Sequence, residues 1–435
     1  VIARIEPKTL SGEVHAIASK SMAHRLVIAA ALANGPTEVV CNTTCDDIEA
    51  TLDCLETLGA RIVRSPGVFE IHPIPKSQEH GILRALTGRT LDCRESGSTL
   101  RFMLPVACAL GADATFIGAA RLGERPLTPL INELLAAGCD LPATGGLPLT
   151  ARNRLRPGTF LLPGNVSSQY VSGLLLALPL LGQESTVEVT GALESKPYVD
   201  LTLEALAAFG IAVRTECDAE QQVTRFHLDG TGYRTPRRIC VEGDWSNAAF
   251  WFCAAAIGKR PITVRGLALN SMQGDRTVLA ALSRFGARVN RSTAAATVRP
   301  DKLKGFSLSA RDVPDLVPVL SAVAASCEGT TVIHDCARLR LKESDRLQTT
   351  AAMLNALGAN VRIVGDDLVI EGVPELTGGT VDACRDHRIA MTAAVAAVRA
   401  SGPVVIRGAE AVAKSYPTFF DDYRELGGIV ELKED

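Results

Sequence analysis

No stretch of this 435-residue sequence is long and apolar enough to cross a bilayer. The longest apolar runs, around Val171–Leu181 and Ala248–Ile257, fall well short of the roughly 20 residues a spanning helix needs. Net charge is also scarce, at −3, which excludes a broad nucleic-acid face or an anionic-membrane surface. Any cationic site must therefore be local. Twelve cysteines include no C-x-x-C pair. Cys108, Cys253 and Cys327 lie inside apolar runs, where a free thiol behaves as a small hydrophobe. Neither a secretory signal nor an Arg- and Ser-rich transit pattern is visible, and a reducing cytoplasm is the expected setting. The seven histidines form no H-E-x-x-H or other tight ligand set, so no protein-held metal is expected. A Gly-rich dinucleotide fingerprint and a P-loop are both missing; neither a nicotinamide cofactor nor ATP is supported, and no cofactor is expected. What is present is the profile of a well-packed protein, 47% hydrophobic and 21% charged, over a length that calls for two lobes.

The apolar residues are organised in a repeat. Six segments end in a helix-stop glycine followed by a short apolar strand, at Gly59, Gly138, Gly210, Gly286, Gly358 and Gly427, 69 to 79 residues apart. Glycine there suits a left-handed helix C-cap. A second series runs in phase with the first: Ala- and Leu-rich helices end near Gly35, Gly111, Gly182, Gly258, Gly329 and Gly402. These helices are apolar nearly all round, which predicts burial. Each is followed by a β-rich stretch, at 38–40, 115–117, 186–189, 262–264, 331–333 and 404–406. The spacing predicts six α/β units of buried helix, strand, amphipathic helix and strands. Only eight residues follow Gly427, while residues 1–17 precede the first buried helix and belong to no unit. The N-terminal segment is therefore expected to complete the last unit. That predicts one lobe from residues 18–228 and a second from 1–17 plus 229–435, three units each, with two chain crossings.

A helix N-terminus exposes unpaired N–H groups and the positive end of the macrodipole, so it attracts anions. The residues expected at these starts are Lys20, Ser21 and Arg25; Glu95-Ser-Gly-Ser98 and Arg101; Ser167-Ser-Gln169; Asp244-Trp-Ser246; Pro314-Asp315; and Asp386-His-Arg388. The amphipathic helices open with Arg125-Pro126, Ser195-Lys-Pro-Tyr198, Lys342-Glu-Ser-Asp-Arg346 and Lys414-Ser-Tyr-Pro417. Ser, Asp and Pro are ordinary helix-start residues. Lys and Arg oppose the macrodipole there, so Lys20, Arg125, Lys342, Arg388 and Lys414 each require a reason, and a shared anionic ligand supplies one. His387 reads equally as a helix-start hydrogen bonder or as a catalytic group.

With these residues in view, the chain resembles the 5-enolpyruvylshikimate-3-phosphate synthase family of enolpyruvyl transferases, nearly end to end. The strings that carry the resemblance are Lys20-Ser-Met-Ala-His-Arg25, Ser167-Ser-Gln169, Ser195-Lys-Pro-Tyr198, Glu242-Gly-Asp244, Asn270-Ser-Met-Gln-Gly-Asp275, Lys342-Glu-Ser-Asp-Arg346, Asp386-His-Arg388 and Lys414-Ser-Tyr-Pro417. The resemblance implies an α/β, two-lobed enolpyruvyl-transferase fold of six βαβαββ units, three per lobe, with the active site in the inter-lobe cleft. It also implies transfer of the enolpyruvyl group of phosphoenolpyruvate to the 5-hydroxyl of shikimate 3-phosphate, through a tetrahedral ketal phosphate, by a monomer. By matched motif, Asp315, Glu343 and Lys20 are the expected catalytic residues. Lys20, Gly97, Arg125, Gln169, Arg346, Arg388 and Lys414 are the expected phosphoenolpyruvate contacts. The shikimate 3-phosphate contacts implied are Lys20, Ser21, Arg25, Ser167, Ser168, Gln169, Ser195, Tyr198, Asp315, Arg338 and Lys342.

Two positions depart from the family pattern. Glu95 stands where the family has an Asn, and it cannot donate an amide N–H. Arg338 stands where many members have Asn, and a cation suits a phosphate there. The Gly97 loop borders the glyphosate site of the family. Two rivals have weaker support. The sister transferase acting on UDP-N-acetylglucosamine carries a Cys in the loop that here reads Arg121-Leu-Gly-Glu-Arg125. An RNA 3′-terminal phosphate cyclase would need a nucleophilic His, ATP binding and a basic RNA face.

Overall fold

The computed structural model describes residues 1–75 and 87–434. Six small sheets carry one connection pattern, most plainly seen around the strand Ser185–Thr190. A first strand, Thr159–Pro163, pairs parallel to it, and the buried helix Ser168–Ala177 makes the crossover that a parallel pair requires. The amphipathic helix Lys196–Ala208 follows, and the antiparallel strands Val213–Asp218 and Val223–Leu228 close the unit against Ser185–Thr190. The strands Thr37–Val40, Asp113–Ile117, Ile262–Arg265, Thr330–His334 and Val404–Arg407 occupy the same place in the other five sheets. All six β-rich stretches expected after the buried helices are strands.

The glycine that ends each amphipathic helix is left-handed in all six units, with φ between 77° and 115° at Gly59, Gly138, Gly210, Gly286, Gly358 and Gly427. An L side chain would be strained at each. One sheet departs from the pattern, with three strands instead of four. An isolated bridge between Asp140 and Arg152 stands where the other units have a hairpin strand. Pro142 and Pro148 flank that segment, and proline cannot donate to a ladder.

The chain forms two compact units, Lys20–Val241 and Val1–Ser19 with Glu242–Asp435. In the second, the N-terminal strand Ile2–Glu6 lies antiparallel between Val404–Arg407 and Ile429–Lys433. Gly12–His15 supplies the parallel first strand for Ile262–Arg265. In the first unit, Arg238–Cys240 does the same for Thr37–Val40. Each unit thus borrows a strand from the far end of its own stretch of chain, which ties its ends together. The two crossing segments also pair: Ser19 N–H donates to Glu242 C=O and Asp244 N–H to Ile17 C=O, both at 2.8 Å. The Asn270–Asp275 string secures this junction. Gln273 donates to Glu242 Oε1 and to Gly243 C=O, and its amide oxygen accepts from Trp245 N–H.

Among the described residues no helix is long and apolar enough to cross a membrane. The helices Lys20–Leu32, Gly97–Leu110 and Trp245–Ile257 are instead buried almost all round, as their composition predicts. Close approach sets their register. A Cβ at Gly173 would stand 2.2 Å from the carbonyl of Arg101, so only glycine permits this crossing of Ser168–Ala177 over Gly97–Leu110. That crossing sets Gln169, one turn earlier, beside Ser98 and Arg101.

Candidate functional site

The candidate side chains collect at helix starts in each unit. In the unit of Glu242–Asp435, the centre is Arg346, 1% exposed at the first position of the helix Arg346–Ala356. A buried guanidinium is tolerable only when fully paired, and this one meets three carboxylates. Its Nη1 lies 2.8 Å from Asp315 Oδ1, its Nη2 2.7 Å from Glu343 Oε2, and its Nε 2.7 Å from Asp386 Oδ2. Asp386 is fully buried and also caps the helix His387–Ala396, accepting from Arg388 N–H at 3.0 Å.

Asp315 enters from the 3-10 turn Pro314–Leu316, ahead of the helix Val317–Ala324. Besides Arg346 it meets Lys342 Nζ at 3.3 Å and Arg388 Nη2 at 3.2 Å, while Arg388 Nη1 reaches its carbonyl at 3.2 Å. Burial pushes its carboxyl up, but Arg388, Lys342 and Arg346 outweigh burial and hold it well below the usual carboxylate range. Burial in turn lowers the Lys342 ammonium against the pull of Asp315. Lys414, 8% exposed, ends the 3-10 segment Ala409–Lys414. The chain beyond it is fixed by Tyr416, which accepts from Trp251 Nε1 at 3.0 Å and donates to Asp422 Oδ2 at 2.6 Å. Arg338 is half-buried in the 3-10 segment Ala337–Leu341, and His387 is buried.

In the unit of Lys20–Val241, Lys20 opens its helix with Nζ 2.7 Å from Asp47 Oδ2. Arg25, one turn on and 2% exposed, donates to Thr202 Oγ1 at 2.8 Å, to Tyr198 C=O at 2.7 Å and to Ser21 C=O at 2.6 Å. It thereby joins the helix starts that carry Ser21 and Tyr198. Ser195 is buried at φ 55°, a left-handed residue that would relax if its surroundings allowed. Ser167 caps the next helix by accepting from Gln169 N–H, and Ser168 is buried behind it. The Gln169 side chain donates to Ser98 Oγ at 2.9 Å and accepts from Arg101 Nη1 at 3.2 Å.

Gly97 lies under two guanidiniums. A Cβ there would stand 2.6 Å from Nη1 of both Arg101 and Arg125. A buried chain supports this loop from behind: His24 Nδ1 to Thr51 Oγ1 at 2.8 Å, Thr51 to Thr99 at 2.7 Å, and Thr99 to Ser96 at 2.8 Å. Burial, then Lys20 and Arg25, push the His24 imidazole well below its ordinary range, so it stays neutral. Among the described residues no group of three His, Cys, Asp or Glu side chains is placed to hold a metal ion.

Three of the five cations that oppose the macrodipole therefore have a structural answer: Lys20, Lys342 and Arg388 each meet a carboxylate of their own unit. Sequence reasoning missed Asp47 as the partner of Lys20, and Asp386 as the anchor of Arg346. It also gave no role to Arg101, although an arginine in an otherwise apolar helix was a visible signal. Ser246 accepts from Arg388 Nη2 at 2.7 Å, which brings the fourth unit to this cluster, although its sequence reads as mainly structural.

A family model described as EPSP synthase (3-phosphoshikimate 1-carboxyvinyltransferase) matches residues 5–423. The 3-phosphoshikimate 1-carboxyvinyltransferase of Clostridium beijerinckii is 39% identical over 431 residues, covering 98% of both chains. That of Clostridium kluyveri is 40% identical over 428 residues, covering 98% of this chain and 97% of the relative. Among solved structures, EPSP synthase from Acinetobacter baumannii superposes with a TM-score of 0.80 at 28% identity, covering 100% of both chains. The enolpyruvyl transferase NikO from Streptomyces tendae shares the fold, with a TM-score of 0.72 at 20% identity, over 99% of this chain and 98% of its own.

Proposed function

This chain belongs to the EPSP synthase (3-phosphoshikimate 1-carboxyvinyltransferase) family, and from that premise we propose that Asp315 and Glu343 are its acid–base pair. The activity it carries moves the enolpyruvyl group of phosphoenolpyruvate to the 5-hydroxyl of shikimate 3-phosphate and releases phosphate. Addition requires the hydroxyl to lose a proton while the methylene carbon gains one; elimination reverses the traffic at carbon. Two carboxylates are needed, close together and separately addressed. The observation that carries the assignment is the fork of Arg346, which holds Asp315 on one terminal nitrogen and Glu343 on the other.

Charge explains how such a pair is switched on. An aspartate held far below its usual range is a poor base. Both substrates bring phosphate and carboxylate groups that compete for Lys342, Arg346 and Arg388. As these cations turn to the substrates, Asp315 regains basicity and accepts the hydroxyl proton. Glu343, raised by the same incoming charge, takes up a proton and passes it to the methylene carbon. It removes one again as the bond to phosphate breaks, and the proton on Asp315 balances the departing phosphate. Lys20, Arg125, Gln169 and Lys414 supply further cationic and amide contacts for phosphoenolpyruvate. Ser21, Arg25, Ser167, Ser168, Ser195, Tyr198 and Arg338 serve the acceptor. Twelve free cysteines, nine of them buried, support a reducing compartment.

The test of this reading is phosphate release on mixing the protein with phosphoenolpyruvate and shikimate 3-phosphate. Release only when a UDP-sugar replaces the acceptor would overturn it. A second prediction concerns Gly97. A methyl group there must displace two guanidinium ends, and flexible side chains yield at small cost in stability. Gly97→Ala should therefore melt within a few degrees of the parent, yet raise KM for phosphoenolpyruvate roughly ten- to a hundredfold through a misplaced Arg125. An unchanged KM would show that Arg125 does not contact that substrate.

A further inference from the structure

His24 is a fully buried imidazole that the acid–base pair does not use. It lies one turn into the helix Lys20–Leu32, with Nδ1 2.8 Å from Thr51 Oγ1. From Thr51 the contacts run to Thr99 Oγ1 at 2.7 Å and on to Ser96 Oγ at 2.8 Å. All four side chains are fully buried, and they come from the helices Lys20–Leu32, Asp46–Thr57 and Gly97–Leu110 with its cap. A buried row of polar groups is costly unless each member is partnered, and once partnered it fixes rotamers that an apolar core leaves free. Such a row calls for an explanation.

Proton counting gives the row a direction. Thr99 donates its one hydroxyl proton to Ser96, so Thr51 must be the donor at the contact between the two threonines. That spends the proton of Thr51, and His24 Nδ1–H must therefore begin the row. Nε2 is then the bare nitrogen of a neutral ring, and it has no hydrogen-bond partner among the described residues. Burial, which holds this imidazole well below its ordinary range, keeps the ring in that neutral form. A competing acceptor lies close by: the Asp47 carbonyl is 3.5 Å from Thr51 Oγ1 and 3.3 Å from Thr99 Oγ1. A hydroxyl that accepts from His24 is the stronger donor to Thr99, so the imidazole tips both threonines toward Ser96 and away from that carbonyl.

Ser96, where the row ends, caps the helix Gly97–Leu110, and its Oγ also accepts from Thr99 N–H at 3.2 Å. The next residue is Gly97, packed beside the Arg125 guanidinium, and the one after is Ser98, which accepts from the Gln169 side chain at 2.9 Å. We propose that His24 is a positioning residue for phosphoenolpyruvate: through Thr51 and Thr99 it fixes Ser96, and with Ser96 the turn that presents Gly97 to that substrate. This rests on the reading of Gly97, Arg125 and Gln169 as contacts to phosphoenolpyruvate.

Steady-state kinetics and one spectroscopic measurement test the inference. His24→Leu removes the first donor, and Thr51→Val removes the middle hydroxyl at nearly constant shape. Each should raise KM for phosphoenolpyruvate roughly five- to tenfold, the scale of one hydrogen bond. KM for shikimate 3-phosphate should change by less than about twofold, and turnover little, as expected for lost binding of one substrate. The double variant should be no worse than the worse single one, because both break the same row. His24→Asn, whose amide N–H can stand near the place of Nδ1–H, should return KM to within about threefold of the parent. Circular dichroism establishes that each variant is folded. Normal KM for phosphoenolpyruvate in either folded His24→Leu or folded Thr51→Val overturns the inference, as does an equal rise in both KM values that Asn does not relieve. The tautomer is read on the parent protein and depends on no variant of low stability. Nitrogen NMR of protein labelled in its histidine rings, with His24→Asn to identify the signals, should show the proton on Nδ1. A proton on Nε2 would reverse the row and overturn the inference. Gly97→Ala separates the two layers: if it leaves KM for phosphoenolpyruvate unchanged, the reading of this turn falls, and the inference with it. If it raises KM while His24→Leu and Thr51→Val do not, the positioning role alone falls.

Discussion

Asp315→Asn is expected to lower turnover by roughly two to four orders of magnitude, the range that a positioned general base contributes. The amide matches the carboxylate in shape but cannot accept the hydroxyl proton. Three cations meet Asp315 in the resting protein, at 2.8 to 3.3 Å, and all three lose a charge partner in the variant. Phosphoenolpyruvate then no longer competes with an internal anion for Lys342, Arg346 and Arg388. Its binding in the presence of shikimate 3-phosphate should therefore hold or tighten while turnover collapses. Rates of phosphate release and equilibrium binding of phosphoenolpyruvate measure the two effects. Near-normal turnover would remove Asp315 from the acid–base pair. Loss of binding in step with turnover would instead assign it to holding the cations in place.

The combination separates chemistry from architecture because Arg346 does not depend on Asp315 alone. Its Nε and Nη2 keep Asp386 and Glu343 in the variant, so the fork stays in place. Among the described residues Lys342 makes no second ion pair within 4 Å. Any residual shift in substrate affinity should accordingly report on Lys342 more than on Arg346.

Much of the fold was legible because each unit needs the same punctuation. A helix that must stop and reverse into a strand takes glycine at its left-handed C-cap, and all six such glycines adopt that conformation. The second glycine series was less uniform. Gly111, Gly182 and Gly329 are left-handed, whereas Gly258 closes its helix with extended backbone at φ −79°. At Gly258 the buried helix simply ends, and backbone geometry alone does not require glycine there. Which strands change partners is a matter of register, and no local signal in Gly12–His15 or Arg238–Cys240 points to a sheet on the other side of hundreds of residues.

From residue chemistry alone, only the cations of the candidate site stand out; Asp315 and Glu343 are named from the family resemblance. Lysine and arginine at a helix start defy the macrodipole, so Lys20, Lys342 and Arg388 draw attention. Asp47, the partner of Lys20, and Asp386, the partner of Arg346, do not, because they look like any aspartate near a helix start. Asp386 indeed caps a helix and anchors Arg346 with the same carboxylate. Ser246 is harder still: it comes from a helix start with ordinary capping chemistry, and only the packed structure puts it beside Arg388.

Arg346→Met should be the most destabilising single change in its unit, costing about 3–5 kcal/mol. Methionine fills much of the volume but leaves Asp315, Glu343 and Asp386 without the guanidinium they share. The dependence on pH gives the mechanism a sign. In the parent, Asp315 sits well below its ordinary range, so its contribution to stability is present above about pH 4 and lost as pH falls through its folded value. In the variant, carboxylates buried without that cation shift upward and take up protons as pH falls, which relieves the cost. The gap between parent and variant should thus be widest near pH 7.5 and narrow toward pH 5. Urea unfolding followed by tryptophan emission reads this unit alone, because the only two tryptophans of the sequence, Trp245 and Trp251, are buried in its helix Trp245–Ile257. Arg346→Lys should fall between the two, since one ammonium replaces a three-pronged donor that addresses three carboxylates. A loss below about 1 kcal/mol, the scale of an exposed ion pair, would show that the three carboxylates find other partners. A gap independent of pH would show that the cost is lost packing.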